Sequence, residues 1–309
     1  MEPTNPTPPR HLLVPLDGSR LAEAALPAAL ATAERLAARL TLLHVLERRA
    51  PETVHGDPHL TGVDAAERYL AALVTRCAAA GVAVDTHVHP NPEGDVVASI
   101  AAHAAELGAD LIVLCAHGHG GARHRLTGAL AQQVIRRATP PVLLVRPAAA
   151  EAGFAPGTVV VALDGTPAAE AVLPVALAMA RGFAAGVVLA IGIPTLGTVD
   201  AERAVTARFR PTATAAALDL EEASAAAYLD RLAARLRDTG LPVRAEVGRG
   251  DAVQTVGRLA AVSEPSLLAL ATHGRAGLDA LWTASVGSRL VEQARGPLLL
   301  VHPGQPPGS

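Results

Sequence analysis

HLLVPLDGS (His11–Ser19) is answered 147 residues later by TVVVALDGT (Thr158–Thr166). Each copy is an apolar run ending in Leu-Asp-Gly and a hydroxyl residue, so a buried strand that stops at a turn is written twice. Two further segments recur in the same order. DLIVLCAHGHGG (Asp110–Gly121) returns as SLLALATHGRAG (Ser266–Gly277), and ATPPVLLVRP (Ala138–Pro147) returns as ARGPLLLVHP (Ala294–Pro303). Asp17 and Asp164 are 147 residues apart but His117 and His273 are 156 apart. The second copy therefore carries about nine extra residues, expected in the irregular stretch Gly192–Pro211. The expected organisation is a flexible tail (1–10), a first domain (11–147), an Ala/Gly/Pro linker (148–157), a second domain (158–303) and a C-terminal tail (304–309).

Working outward, short apolar runs alternate with longer amphipathic patterns. In the first copy, strands are expected at Leu12–Leu16, Thr41–Leu46, Val82–Val88, Leu111–Cys115 and Val142–Val145. Helices are expected at Ala22–Arg39, Val63–Ala80, Val96–Leu107 and Gly128–Ala138. The second copy places strands at Val159–Leu163, Gly186–Ile191, Val243–Val247, Leu267–Ala271 and Leu298–Val301. Such alternation needs crossover connections, and the strands are continuous apolar runs, as burial on both faces demands. The expected fold class is α/β: two tandem doubly wound domains, each a five-stranded parallel sheet with helices on both faces. Ligands of such sheets bind beyond the strand C-termini, at the switch point in strand order.

Composition narrows the function. Half the residues are apolar but only 2% are aromatic, and the net charge is −3, so no basic patch invites a nucleic-acid partner. Every fixed cation is arginine, since the chain contains no lysine. The two cysteines, Cys77 and Cys115, exclude a disulfide framework and suit a reducing compartment. The N-terminus lacks a signal pattern and no apolar run is long enough to span a bilayer, so a soluble, cytoplasmic protein without membrane contact is expected.

Two features sit at strand ends. Asp17-Gly18-Ser19 and Asp164-Gly165-Thr166 read first as turns with a helix-capping hydroxyl. A carboxylate there would repel phosphate and suit a nucleoside's hydroxyls or exocyclic amine. The second feature is the loop after the fourth strand. It runs Cys115-Ala116-His117-Gly118, nine residues, Gly128-Ala129, and again Ala271-Thr272-His273-Gly274, nine residues, Ala284-Ser285. A glycine-rich loop feeding a helix offers backbone N–H groups and a favourable dipole to phosphate. It is not a Walker loop, which needs lysine, nor a dinucleotide fingerprint, which would follow the first strand.

In these motifs the chain resembles the tandem form of the universal stress protein family, over nearly its whole length. The resemblance implies an adenine nucleotide alpha-hydrolase-like fold. It also implies an intramolecular pseudo-dimer formed through the last strands, Pro141–Val145 and Pro297–Val301. The implied ligand is ATP with Mg²⁺. The family signature carries over to Asp17, Val45, Leu114, His117, Gly118, Gly128 and Ala129. In the second copy it carries over to Asp164, Ile191, Leu270, His273, Gly274, Ala284 and Ser285.

Both copies depart from the signature. Cys115 and Ala129 replace a glycine and a hydroxyl residue in the first; Ala271 and Ala284 replace glycines in the second. Losing one hydrogen bond to a charged group costs about 1.5–3 kcal/mol. Gly120 and Gly121, with Arg123 and Arg125, tip the phosphate end toward the first copy.

No nucleophile–base pair or carboxylate pair is placed for catalysis, so slow ATP hydrolysis at most is expected. His87 and His89 alternate on one strand, but no zinc-like spacing accompanies them and no metal ligands are assigned. The expected activity is stress-response signalling through adenine-nucleotide occupancy, protein contact or self-association. The alternatives are an interaction protein with relict loops and a weak ATPase.

Overall fold

The computed structural model describes residues 7–116, 129–147, 153–199, 201–263, 265–272, 289–290, 293–294 and 296–303. The first half contains β1 (His11–Pro15), α1 (Arg20–Glu23), α2 (Leu26–Leu36), β2 (Arg39–Glu47), a ribbon of β3 (Thr53–Val54) and β4 (Asp57–Pro58), and α3 (Val63–Cys77). It continues with β5 (Val84–Glu93), α4 (Val96–Glu106), β6 (Leu111–Cys115), α5 (Ala129–Arg137) and β7 (Val142–Val145). The second half contains β8 (Thr158–Ala162), a 3-10 turn (Ala169–Val172), α6 (Leu173–Gly182), β9 (Gly186–Ile193), α7 (Ala201–Phe209) and α8 (Pro211–Arg237). It closes with β10 (Val243–Arg249), α9 (Ala252–Val262), β11 (Ser266–Ala271) and β12 (Leu298–Val301).

The helix expected over Ala22–Arg39 is two helices. Ser19 caps the first, accepting from Ala22 N at 3.1 Å, and the second ends at Ala37 in the left-handed region (φ 52°). Arg39 is already in β2, because its backbone pairs with His11 of β1. The third strand, expected over Val82–Val88, runs on to Glu93, where Arg48 N donates to the Glu93 carbonyl. Copy one is anchored from Arg10, since Asp110 Oδ2 accepts from the backbone N–H groups of Arg10 (2.8 Å) and His11 (3.0 Å). The extra residues of copy two build α7 and the first turns of α8, where copy one has the β3–β4 ribbon.

Ten strands form one sheet in the order β10-β9-β8-β11-β12-β7-β6-β1-β2-β5. Within this sheet every pairing inside a half is parallel, and the halves meet through β12 and β7, which run antiparallel with Leu299 opposite Leu143. Alternation along each strand sends side chains to opposite faces. Leu12, Val14, Leu143, Val159 and Leu299 enter the core on one face; Leu13, Leu144, Val160 and Leu298 enter the core on the other. Both cores run across the junction. His302, just past β12, donates from Nε2 to the Ile135 carbonyl of α5, and Thr272 Oγ1 lies 3.1 Å from its Nδ1. In each half the chain leaves the first strand toward the second on one side and the fourth on the other. The switch points therefore lie between β1 and β6 and between β8 and β11.

Candidate functional site

At the carboxyl end of β1, Leu16 N still bonds to the Leu43 carbonyl at 2.8 Å, and the chain then turns. Asp17 Oδ1 accepts from Ser19 N (2.9 Å) and Ser19 Oγ (2.7 Å), while Gly18 takes φ +91°. After β8 the construction repeats with the same distances: Asp164 Oδ1 accepts from Thr166 N (2.9 Å) and Oγ1 (2.7 Å), and Gly165 takes φ +82°. The left-handed conformation explains glycine at the middle position. Each hydroxyl also caps the following turn, Thr166 Oγ1 accepting from Ala169 N at 3.2 Å. The bland reading of this motif, a turn and a cap, is therefore true in both halves. It also leaves the second carboxylate oxygen, Oδ2, out of the turn.

A duplicated Tyr–Glu–Arg group lies behind each turn. In copy two, Tyr228 Oη donates to Glu170 Oε1 (2.9 Å) and Arg235 Nη2 to Glu170 Oε2 (3.4 Å). In copy one, Arg76 Nη1 donates to Glu23 Oε2 at 2.8 Å and the Tyr69 hydroxyl is buried beside them. Burial raises the pKa of both phenols, and the neighbouring carboxylates Glu23 and Asp17, or Glu170 and Asp164, raise it further. These are the only two tyrosines in the chain. The sequence signal was available: each Glu follows its Asp by six residues, and each Tyr precedes its Arg by seven.

The opposite bank is the end of β6 or β11. Cys115 is buried, and desolvation, then the Asp17 charge, pushes its thiol up to about 12 against the opposing pull of Arg146. Arg146, at the end of β7, is itself 8% exposed, and burial lowers its pKa. Leu114 and Leu270 are core residues of one face. Val45 and Ile191, named as counterparts, are not in register. Leu43 pairs with Pro15 and Ala190 with Ala162, so the counterpart of Ile191 is His44 and that of Val45 is Gly192. A one-residue slip exchanges faces, and Val45 and Ile191 indeed enter opposite cores.

His44 escaped sequence reasoning. It is 1% exposed, and its Nδ1 donates to the Leu16 carbonyl at 2.7 Å. Desolvation lowers its pKa, opposed by the carbonyls of Leu16 and Leu60. His117, Gly118, Gly128, His273, Gly274, Ala284 and Ser285 lie outside the described residues, as do Gly120, Gly121, Arg123 and Arg125; Ala129 opens α5.

His87 and His89 do share a face, where both meet His103 of α4. The rings of His87 and His103 are 4.7 Å apart, and His103 Nε2 lies 3.0 Å from His89 Nδ1. Glu93 and Glu106 hold the outer nitrogens at 3.0 and 3.1 Å. Among the described residues, no group of three or more His, Cys, Asp or Glu is arranged to hold a metal ion. No described helix is long and apolar enough to cross a membrane.

Comparison with known proteins agrees with this geometry. The model of the universal stress protein family matches residues 9–146 and again residues 157–302. Among solved structures, a functionally unknown protein from Pseudomonas aeruginosa PAO1 superposes with a TM-score of 0.66 at 16% identity, covering 96% of this chain and 93% of that one. A universal stress protein from Archaeoglobus fulgidus DSM 4304 superposes with a TM-score of 0.66 at 14% identity, covering 95% and 98%. At these identities the likeness shows the fold. No curated protein sequence matches the chain.

Proposed function

The chain belongs to the universal stress protein family, and from that membership we propose a stress-response protein that binds an adenine nucleotide, ATP with Mg²⁺, at the strand C-termini. It acts through occupancy, protein contact or self-association rather than fast turnover. The observation that carries this reading is the Asp-Gly-Ser/Thr turn, built twice with the same hydrogen bonds at the switch point where such sheets take ligands.

The donor chemistry fits. Asp17 and Asp164 stand at the strand ends where a carboxylate would accept from a ribose hydroxyl or an exocyclic amine, each using Oδ1 to close its turn. The phosphates would reach the backbone N–H groups of the glycine-rich loops at Gly118–Gly128, ahead of α5, and Gly274–Ala284. In this reading Mg²⁺ arrives with the triphosphate. The halves act as an intramolecular pseudo-dimer through β7 and β12, and the protein works in the cytoplasm.

A second reading has support in the loops themselves. Cys115, Ala129, Ala271 and Ala284 stand where the signature wants glycine or a hydroxyl, as expected of an interaction protein with relict sites.

Calorimetric titration of ATP–Mg²⁺ into nucleotide-stripped protein separates the two. Binding is expected in the wild type and reduced by Gly118→Val or Gly274→Val. No heat, together with no thermal shift at millimolar ATP, refutes nucleotide binding and favours the interaction protein.

A further inference from the structure

The amino ends of the copy-two strands enclose a cavity of about 330 Å³. It lies at the start of β8, β9 and β10, whose first residues are Thr158, Gly186 and Val243, at the far end of the strands from the Asp164 turn. Val187, Val188 and Leu241 make much of its wall apolar, and among the described residues Arg237 and Arg244 are the charged groups that line it. Arg237, the last residue of α8, donates from Nε to the Val243 carbonyl at 3.1 Å, which uses one of its five N–H groups. Neither arginine is paired with a carboxylate among the described residues.

The register of the repeat shows how the space arises. Thr158 pairs with Gly186 as His11 pairs with Arg39, and Arg244 stands opposite Val188 as Asp85 stands opposite Thr41. In copy one the buried His11 places Nε2 2.7 Å from Thr41 Oγ1, and Arg39 Nη2 donates to His11 Nδ1 at 2.9 Å. Copy two has a threonine in place of that ring and no side chain in place of that guanidinium. The backbone does not demand the glycine: a Cβ at Gly186 would find the Pro242 carbonyl at 3.7 Å, an ordinary contact. The aspartate position has become Arg244, so the place that is packed in copy one is hollow and cationic in copy two.

We infer that this cavity binds a small amphipathic carboxylate, with its head at Arg237 and Arg244 and its apolar tail against Val188 and Leu241. Guanidinium is the cation whose planar fork matches a carboxylate, two N–H groups to two oxygens. An apolar wall with a few placed polar groups is the usual make-up of a small-molecule site. At about 330 Å³ the cavity is at the small end of such sites, which run from about 300 to 1,000 Å³, so the ligand is a short acyl chain rather than a nucleotide. The site uses none of the residues of the nucleotide reading and stands or falls apart from it.

The test uses the full chain, labelled at valine and leucine methyl groups, with hexanoate as the probe. Titration is expected to give saturable NMR shifts at Val188, Leu241 and Val243. Arg237→Gln or Arg244→Gln should weaken binding about tenfold or more, as the loss of a hydrogen bond between charged groups does. Hexanamide has the same shape without the charge and should bind at least about tenfold more weakly than hexanoate. Acetate, which keeps the head and lacks the tail, should also bind more weakly. Gly186→Arg, which restores the copy-one residue, and Gly186→Leu, which fills the space without charge, should abolish binding. The inference is overturned by the absence of saturable shifts at these methyl groups, by hexanamide or acetate binding as tightly as hexanoate, or by undiminished binding in both Gly186 variants. The comparison of ligands needs no substitution, so it decides the matter even where a variant loses its fold.

Discussion

Replacing Leu143 by aspartate tests whether the antiparallel junction makes one folding unit of two halves. Leu143 is 0% exposed and faces Leu299, also 0% exposed, across the β7–β12 ladder. The substitution forfeits the burial of a leucine side chain, about 1.5–3 kcal/mol. It also places a carboxyl where no charge is tolerated. Remaining protonated at pH 7 means raising its pKa from about 4 by at least about 3 units, or about 4 kcal/mol at about 1.36 kcal/mol per unit. Together these cost about 6 kcal/mol, comparable with the whole stability of a domain, about 5–15 kcal/mol. Leu143→Met keeps the volume and should cost less than about 1.5 kcal/mol. Because both cores run through the junction, the damage should cross it. Hydrogen exchange read by mass spectrometry at pH 7 should show the amides of Leu298–Val301 losing protection together with those of Val142–Val145. If β7 opens while β12 keeps wild-type protection, the ladder does not couple the halves and the reasoning fails.

Acid should destabilise the fold. Burial lowers the pKa of His11, His44 and His103 below the ordinary imidazole value of about 6.5. His103 is held down further by His87 and His89, with Glu106 opposing. The unfolded chain therefore binds more protons just below that value, so stability present above about pH 6.5 is lost as pH falls toward the lowered pKa values. Urea midpoints at pH 7.5, 6.5 and 5.5 should decline in that order; a flat series would show that these imidazoles stay as accessible to protons as in the unfolded chain. Cys115, pushed up to about 12, should react with iodoacetamide at pH 8 about a thousandfold more slowly in the folded protein than in urea. Peptide mapping that finds equal rates would place the thiol outside the core.

Several features were legible because they are short-range. The turn at Asp17 is closed by atoms two residues apart, Asp17 Oδ1 with Ser19 N and Oγ, and any chain reading Leu-Asp-Gly-Ser after a buried strand will favour it. Strand–helix alternation shows as apolar periodicity. The tandem repeat shows as three similar segments recurring in the same order. Other features were not legible because they are set across the sheet. The register of β2 against β1 is decided by ladder hydrogen bonds, and Val45 and Ile191, each taken only as a residue late in its second strand, stand one residue, and therefore one face, out of correspondence. The end of β5 depends on Arg48 meeting Glu93.

Sequence alone thus determined the repeat, the α/β class and the two Asp-Gly-Ser/Thr turns, since each is encoded within a few residues or by periodicity along one element. Tertiary structure alone decided what lies against the Asp17 turn. Residues 48–62 are a Pro/Gly/His-rich loop with no periodicity of their own. Their resting place on Gly18 and Asp17 is settled by contacts some 40 positions away in sequence. Local propensity cannot specify such contacts; packing against an already folded sheet can.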